Sequence, residues 1–402
     1  MKVKTKMTYV KIANKDPIST LYHWSIGLLP VLCLYNTPFL NISLGSVLLI
    51  LFAPYVLIRT IPGFKLYKSR VSLIPFLLFY LYIVCRTDGN VANVILCIVA
   101  IININGAAHG VIKTKEIRRI VEWFAMVNTI LIILQVLIYY GLHIRIQYIP
   151  QGIIHRDFTE SFVFRSEYGY GMYRPSALFL EPAHYSQYCC FALISVLFPA
   201  KGKANLKRAA LVALGCVLTT SGMGIMITFG ILAWYIILAK TSKGSKVINI
   251  VKWVPVIAIL IVILLQIPFV QTAFQRVFSS VNGYNAIRGR TGNWNSAIGS
   301  MQGHDLWFGY GGSAKYPYYL AGLADTIYKY GIIGVALEFI CFFYLLTRKF
   351  KNFECCYCVV FILLFCFAHL TSIYVQVFHF SILIANVIIY ERTAVKAKAL
   401  ET

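Results

Sequence analysis

Residues 113–141 read KTKEIRRIVEWFAMVNTILIILQVLIYYG. Four basic side chains, Lys113, Lys115, Arg118 and Arg119, come just before a stretch (121–140) whose only charge is Glu122. About 20 predominantly apolar residues in a helix cover the roughly 30 Å hydrocarbon core of a bilayer. A basic flank marks the cytoplasmic end of such a span. The pattern repeats along the chain. Spans are expected near 19–36, 40–58, 71–86, 91–110, 121–140, 176–199, 209–220, 222–239, 248–268, 321–346, 354–371 and 375–390. The weakest boundary is TTSGMG, between the short seventh and eighth. Of 402 residues, 59% are hydrophobic and 13% charged, with a mean hydropathy of +0.72. A soluble domain carries about 25% charged residues. The composition predicts an all-α polytopic integral membrane protein of about 12 spans, a single multi-pass domain over residues 1–402.

The net charge is +23. In a soluble protein that would point to nucleic acid, but its distribution along this chain follows topology. With the N-terminus in the cytoplasm, every second connection is basic, and these connections hold 27 of the 37 Lys and Arg residues. Both termini then lie in the cytoplasm, and attraction to anionic lipid adds to the bias. The basic tail MKVKTKMTYVKIANK reads as a cytoplasmic flank, not a cleavable leader. The other ten basic residues are Arg86, Arg145, Arg156, Arg165, Arg174, Arg276, Arg288, Arg290, Lys315 and Lys329. They are mostly arginine, whereas lysine dominates the cytoplasmic side. A guanidinium offers a planar fork of donors matched to phosphate and carboxylate, so this outer set points to an anionic ligand. Long outer loops also tolerate charge freely.

Two outer connections are long, about 141–175 and 269–320, and both are rich in Tyr, Phe, Trp, Gly and Asn. Such residues suit sugar rings as well as a membrane interface. The first loop leads into YRPSALFLEPAHYSQY, residues 173–188. Proline is tolerated in a first helical turn, so a helix is expected to start near Pro182 with Glu181 at its positive end. Glu181 with His184, and His184 with Tyr188, have spacings that share a helix face. Glu181 is a candidate base or a helix cap, and Arg174 a candidate phosphate ligand or a partner for Glu181. The second loop carries AIRGRTGNWNSAIG and then WFGYGGS. Arg288 and Arg290 can both reach one pyrophosphate, Trp294 and Asn295 follow, and the glycines allow close backbone approach.

Other chemistry is not supported. The sequence has no P-loop, GxGxxG, HExxH or GxSxG motif and no acidic pair of the kind that holds a metal–nucleotide sugar, so no cofactor and no metal site are expected. Eleven cysteines fall mostly in spans, which argues against a disulfide framework. CCYC at Cys355–Cys358 reads as small filler at a helix end. A transporter or flippase would also have about twelve spans. It would, however, place ionisable groups near the midplane and show inverted repeats. Here the charges gather in outer loops, with Glu338 and His369 the main titratable residues deep in late spans.

Taken in order, YRPSALFLEPAHYSQY, LTTSGMGIM, RGRTGNWNSA, WFGYGGS and YKYGIIG resemble the Wzy-type O-antigen and capsular polysaccharide polymerases, a superfamily shared with the O-antigen ligases. R-x-S-x-x-x-x-E-P at Arg174–Pro182 is the most specific element, and the resemblance covers most of the chain. It implies a metal-independent, GT-C-like glycosyltransferase in the bacterial cytoplasmic membrane. The substrates would be undecaprenyl-pyrophosphate-linked repeat units, with a flippase and a chain-length regulator as partners. By motif position the family's outer-loop arginines match Arg174, Arg288 and Arg290. The candidates for catalysis are Glu181, Arg174 and Arg290, and those for substrate binding are Arg288, Arg165, His184, Tyr188, Trp294, Asn295, Tyr319 and Asp325. The ligase branch carries a histidine before its GIIG-like helix. This sequence has KYPYYLAGLADTIYKYGIIG, without histidine, which favours polymerase and leaves Glu181, Asp325 and His304 as alternative bases.

Overall fold

In a computed structural model, the residues described are 16–37, 42–61, 67–68, 71–146, 154–155, 173–199, 203–238, 291–318, 320, 322–346, 352–367, 373 and 376–387, with isolated positions between 255 and 275. They are overwhelmingly helical. The helices are α1 (Pro17–Gly27), α2 (Leu29–Leu32), α3 (Leu44–Thr60), α4 (Ile74–Cys85), α5 (Val91–His109), α6 (Thr114–Leu142) and α7 (Pro182–Leu197). They continue with α8 (Leu206–Leu218), α9 (Gly222–Leu238), α10 (Trp294–Gly299), α11 (His304–Phe308), α12 (Gly322–Leu346), α13 (Asn352–Phe367) and α14 (Gln376–Val387). Two short antiparallel ladders pair β1 (Tyr35–Asn36) with β4 (Ile154–His155), and β2 (Tyr67–Lys68) with β3 (Val71–Ser72).

Local chemistry sets the helix ends. Asn90 caps α5 by accepting from the amides of Ala92 and Asn93, and Gly110 ends it in the left-handed region at φ 76°. The expected span 19–36 divides into α1 and α2 at Leu28, with Pro30 in the first turn of the second piece. Helix α6 starts seven residues before the expected 121 because the basic turn is itself helical, and it runs for 29 residues. The TTSG boundary is a real break between α8 and α9. Thr220 takes φ +53°, and the Thr219 hydroxyl donates back to the Cys216 carbonyl at 2.8 Å. The expected span 176–199 is helical only from Pro182. The expected span 248–268 falls almost wholly outside the described residues.

Helices α5, α6 and α12 are long and apolar enough to cross a membrane, and α3, α4, α9, α13 and α14 are shorter apolar helices. Apolar side chains in mid-helix, including Leu51, Ile58, Leu81 and Leu137, are exposed. That is the pattern of an all-α membrane protein whose outer surface meets hydrocarbon. Without a hydrophobic drive between helices in lipid, close packing and small residues hold the bundle. A Cβ on Gly106 of α5 would lie 2.5 Å from Cγ1 of Val56 on α3, and one on Gly27 of α1 would lie 2.8 Å from Cγ2 of Ile120 on α6. Aromatic pairs fill the interior, such as Phe342 with Phe361 at 4.5 Å between ring centroids.

Side-chain contacts sort the helix ends into two groups. At one end, Arg118 of α6 donates to the carbonyls of Ser195 (2.9 Å) and Phe198 (2.6 Å) and lies 4.0 Å over the ring of Phe353. Arg59 pairs with Asp16 there, and the amide of Lys113 donates to His23. These basic segments are the ones expected on the cytoplasmic side. The opposite end gathers the turn after α4, the segment 173–181, and residues 294–331.

Candidate functional site

The segment 173–180 is irregular backbone against the bundle, which requires every amide and carbonyl to find a partner. Helix α6 supplies two of them from residues seven apart. The amide of Ala177 donates to Oε1 of Gln135 (2.9 Å), and that of Leu178 to Oδ1 of Asn128 (3.2 Å). Tyr35 donates to the Leu178 carbonyl at 2.5 Å, and Tyr173 stacks on Tyr139 at 4.2 Å. Ala177 is held at φ +50°, an unfavourable region for a residue with a Cβ. The result is a fixed approach to α7.

Glu181 is the N-cap of α7 and Pro182 its first residue, as the proline pattern requires. Glu181 is half-buried at the positive end of α7, and its carboxylate makes no capping hydrogen bond there. His184, half-buried one turn on, has a buried Nδ1 with no hydrogen-bond partner among the described residues. Tyr188 is placed differently. It is buried, and its hydroxyl donates to the Gly27 carbonyl at 2.9 Å, so it ties α7 to α1 inside the bundle.

The second loop is built around a break in α12. Gly331 has φ 66° and ψ −175°, a conformation essentially reserved for glycine. A break in a helix orphans the carbonyls before it. Here the chain after α11 satisfies them. The amides of Tyr310 and Gly311 donate to the carbonyls of Tyr328 and Lys329, both at 2.9 Å, and the Tyr82 hydroxyl donates to the Tyr330 carbonyl at 2.7 Å. The approach is so close that a Cβ on Gly309 would strike the Lys329 carbonyl, and one on Gly331 the Trp307 carbonyl. Glycines in WFGYGG and YKYG therefore face each other across one contact.

Asp325 and Lys329 lie in α12 before the break and form an ion pair at 2.8 Å. Asp325 is therefore engaged by a cation one turn away. Trp294 opens α10 and stacks on Phe367, with ring centroids 5.9 Å apart and planes 14° apart, and its buried Nε1 has no partner among the described residues. Asn295 is exposed beside it. His304 is exposed and stacks on Phe308. Arg165, Arg288, Arg290, Tyr319 and His369 lie outside the described residues.

The two groups share a level in the bundle. Helices α7 and α13 run antiparallel, since Arg118 reaches the end of α7 and the start of α13, and Phe191 meets Tyr357 at 4.6 Å. Ten residues back along α7 from that contact is Glu181, and ten residues on along α13 is Phe367, each about 15 Å away. Trp294, stacked on Phe367, thus stands at the height of Glu181 on the neighbouring helix.

The sequence reading did not single out Asn128, Gln135, Tyr82 or Asp88. Two amides seven apart in an apolar span were the available signal for the first pair. Deeper in the bundle, Glu338 is fully buried and accepts from Nε2 of Gln376 at 2.8 Å. It is a paired group on α12 and α14, away from the outer cluster.

Residues 209–331 match the family model described as O-antigen ligase. That segment contains Arg288, Arg290, Trp294, Asn295, Tyr319 and Asp325 and ends at the break in α12. Arg165, Arg174, Glu181, His184 and Tyr188 precede it. No curated protein and no solved structure gives a significant match. The similarity to the O-antigen ligase family covers 123 of the 402 residues.

Proposed function

We propose that the chain is a polysaccharide polymerase that joins undecaprenyl-pyrophosphate-linked repeat units at the outer face of the bacterial cytoplasmic membrane, for O-antigen, capsule or exopolysaccharide. In this reading the chain spans the membrane twelve times with both termini in the cytoplasm. Its two long outer loops, 141–175 and 269–320, form the site. A flippase supplies the units, and a chain-length regulator acts with it. The observation that carries the reading is the O-antigen ligase match over 209–331, which spans the loop with the paired arginines.

The chemistry is a displacement at an anomeric carbon. A hydroxyl at the non-reducing end of the incoming unit attacks C1 of the growing chain. The bond from C1 to the pyrophosphate oxygen breaks, and undecaprenyl pyrophosphate leaves with the electron pair. Glu181 takes the hydroxyl proton, its carboxylate not being committed to capping α7. Arg288 and Arg290 neutralise the leaving pyrophosphate, with Arg174 and Arg165 from the first loop. Trp294, Asn295, His184 and Tyr319 contact sugar. Asp325, paired with Lys329, serves binding. The linkage to pyrophosphate stores the driving force, and the step as written uses no metal. A ligase that passes the finished chain to another acceptor is the second reading, favoured by the family description. The absence of a histidine between Lys315 and Gly331 favours the polymerase.

Arg290→Ala is expected to abolish polymer while the protein stays in the membrane at normal level. Glu181→Gln is expected to lower the polymerisation rate about 100-fold or more, the scale of a lost general base. Normal chain length in the first variant, or a near-normal rate in the second, would remove that residue from its role.

A further inference from the structure

The described residues pack as two hydrophobic clusters. The large one fills the bundle. A small one joins Ala297, Leu320 and Ala324 with Trp294, Tyr316 and Tyr328, which lie on α10, just before α12 and in the first part of α12. Helix α12 passes from the small cluster to the large one at its break. Tyr328 packs with the small cluster and Tyr330 with the large one. The second-loop candidates Trp294, Asn295 and Asp325 therefore lie in an outer unit that ends at the break at Gly331, with Trp294 also stacked on Phe367 of α13.

That unit is held to the bundle by the turn between α4 and α5. Nη2 of Arg86 donates to the Gly309 carbonyl at 2.5 Å, and the Arg86 carbonyl accepts from the Gly312 amide at 2.6 Å. The Asp88 carboxylate accepts from the Ser313 amide at 3.4 Å, and Tyr82 spans to the carbonyls of Phe308 (3.3 Å) and Tyr330 (2.7 Å). We propose that Arg86 is a positioning residue: it clamps 307–313 across the break in α12 and so sets the outer unit, with its candidate residues, over the N-terminal end of α7. Arg86 counts among the outer arginines, and its Nη2 is engaged by a carbonyl of the chain while its buried Nε has no partner among the described residues. The proposal rests on the polymerase reading for its catalytic consequence. The clamp itself stands on the contacts alone.

The test uses the full chain in lipid nanodiscs with the undecaprenyl-pyrophosphate-linked repeat unit as substrate. In Arg86→Ala, hydrogen exchange at the amides of Tyr310, Gly311 and Gly312 is expected to quicken at least about 10-fold while α5 and α6 keep their rates. The rate constant kcat should fall about 10- to 100-fold, the scale of an ångström-sized misplacement, with KM within about 3-fold. Arg86→Lys, which can still reach one carbonyl, should recover most of both. Tyr82→Phe, which removes only the hydroxyl, gives a milder form of the same readouts if Arg86→Ala does not fold. Unchanged exchange would overturn the clamp. Quickened exchange with unchanged kcat would overturn the positioning role. An Arg86→Lys protein with wild-type exchange and no activity would place Arg86 on substrate instead. A wild-type protein without transferase activity would sink the function reading alone, and the exchange rates would still decide the clamp.

Discussion

Gly309 and Gly331 are the residues that most constrain the outer end of the molecule. Both sit at positive φ with ψ near 180°, where a Cβ costs roughly 1–3 kcal/mol, and each would drive that Cβ into a carbonyl of the facing segment. Gly331→Ala is expected to lower the thermal unfolding midpoint in detergent by several degrees and to reduce folded yield. An unchanged midpoint would mean that the contact between WFGYGG and YKYG does not form. The sequence carried this feature as a need for close backbone approach near WFGYGGS. It did not show what approached, because the partner lies about twenty residues on and the anchoring Arg86 more than 200 residues back. Glu181 was legible for a local reason: a proline at the first helical position leaves the preceding carboxylate at the positive end of the helix. Tyr188 was not. Its spacing from His184 put it on a shared face, but a tyrosine in a span satisfies its hydroxyl wherever a carbonyl is near, and Gly27 provides one.

Among the elements, the segment 173–180 lies at the start of an expected span and is not helical. Its apolar composition is that of a buried piece of chain, and composition alone does not separate helix from irregular backbone. What makes the irregular form tenable is the pair of amides on α6. Gln135→Leu removes the acceptor for Ala177 and the donor to Ile146. It should cost about 1–3 kcal/mol, the range for a buried amide left unsatisfied. Hydrogen exchange at Ala177 should rise well above that of the α7 core in this variant. If Ala177 stays protected, the amide has another partner and α6 does not set the approach to Glu181. Helices α3, α4, α5, α8 and α9 lie within about four residues of their expected bounds, because long apolar runs leave little freedom, whereas α6 starts earlier and α7 later than expected. The break at Thr219–Ser221 was visible as a weak boundary for the same reason that it exists: Thr, Thr, Ser and Gly offer hydroxyls and backbone freedom in place of apolar contact.

At the scale of the molecule, the two ends of the bundle divide the chemistry. The end with Arg118, Lys113, Arg59 and Arg208 uses its charges on carbonyls and carboxylates of the chain. The other end gathers Arg174, Glu181, His184, Trp294 and Asp325. A cysteine placed at Gly292 should react with an impermeant maleimide added outside intact cells, and protection there would overturn the orientation. Alternating loop charge made this division readable from sequence. That the two outer groups share a level was not readable, since it depends on α7 and α13 lying antiparallel with Phe191 against Tyr357. The most direct test of the central claim is a gel of lipid-linked saccharides from cells with and without this chain. The polymerase account predicts that the ladder collapses to single repeat units when the chain is removed. A ladder that persists on its lipid carrier but never reaches a final acceptor would contradict it in favour of a ligase, and an unchanged ladder would contradict both.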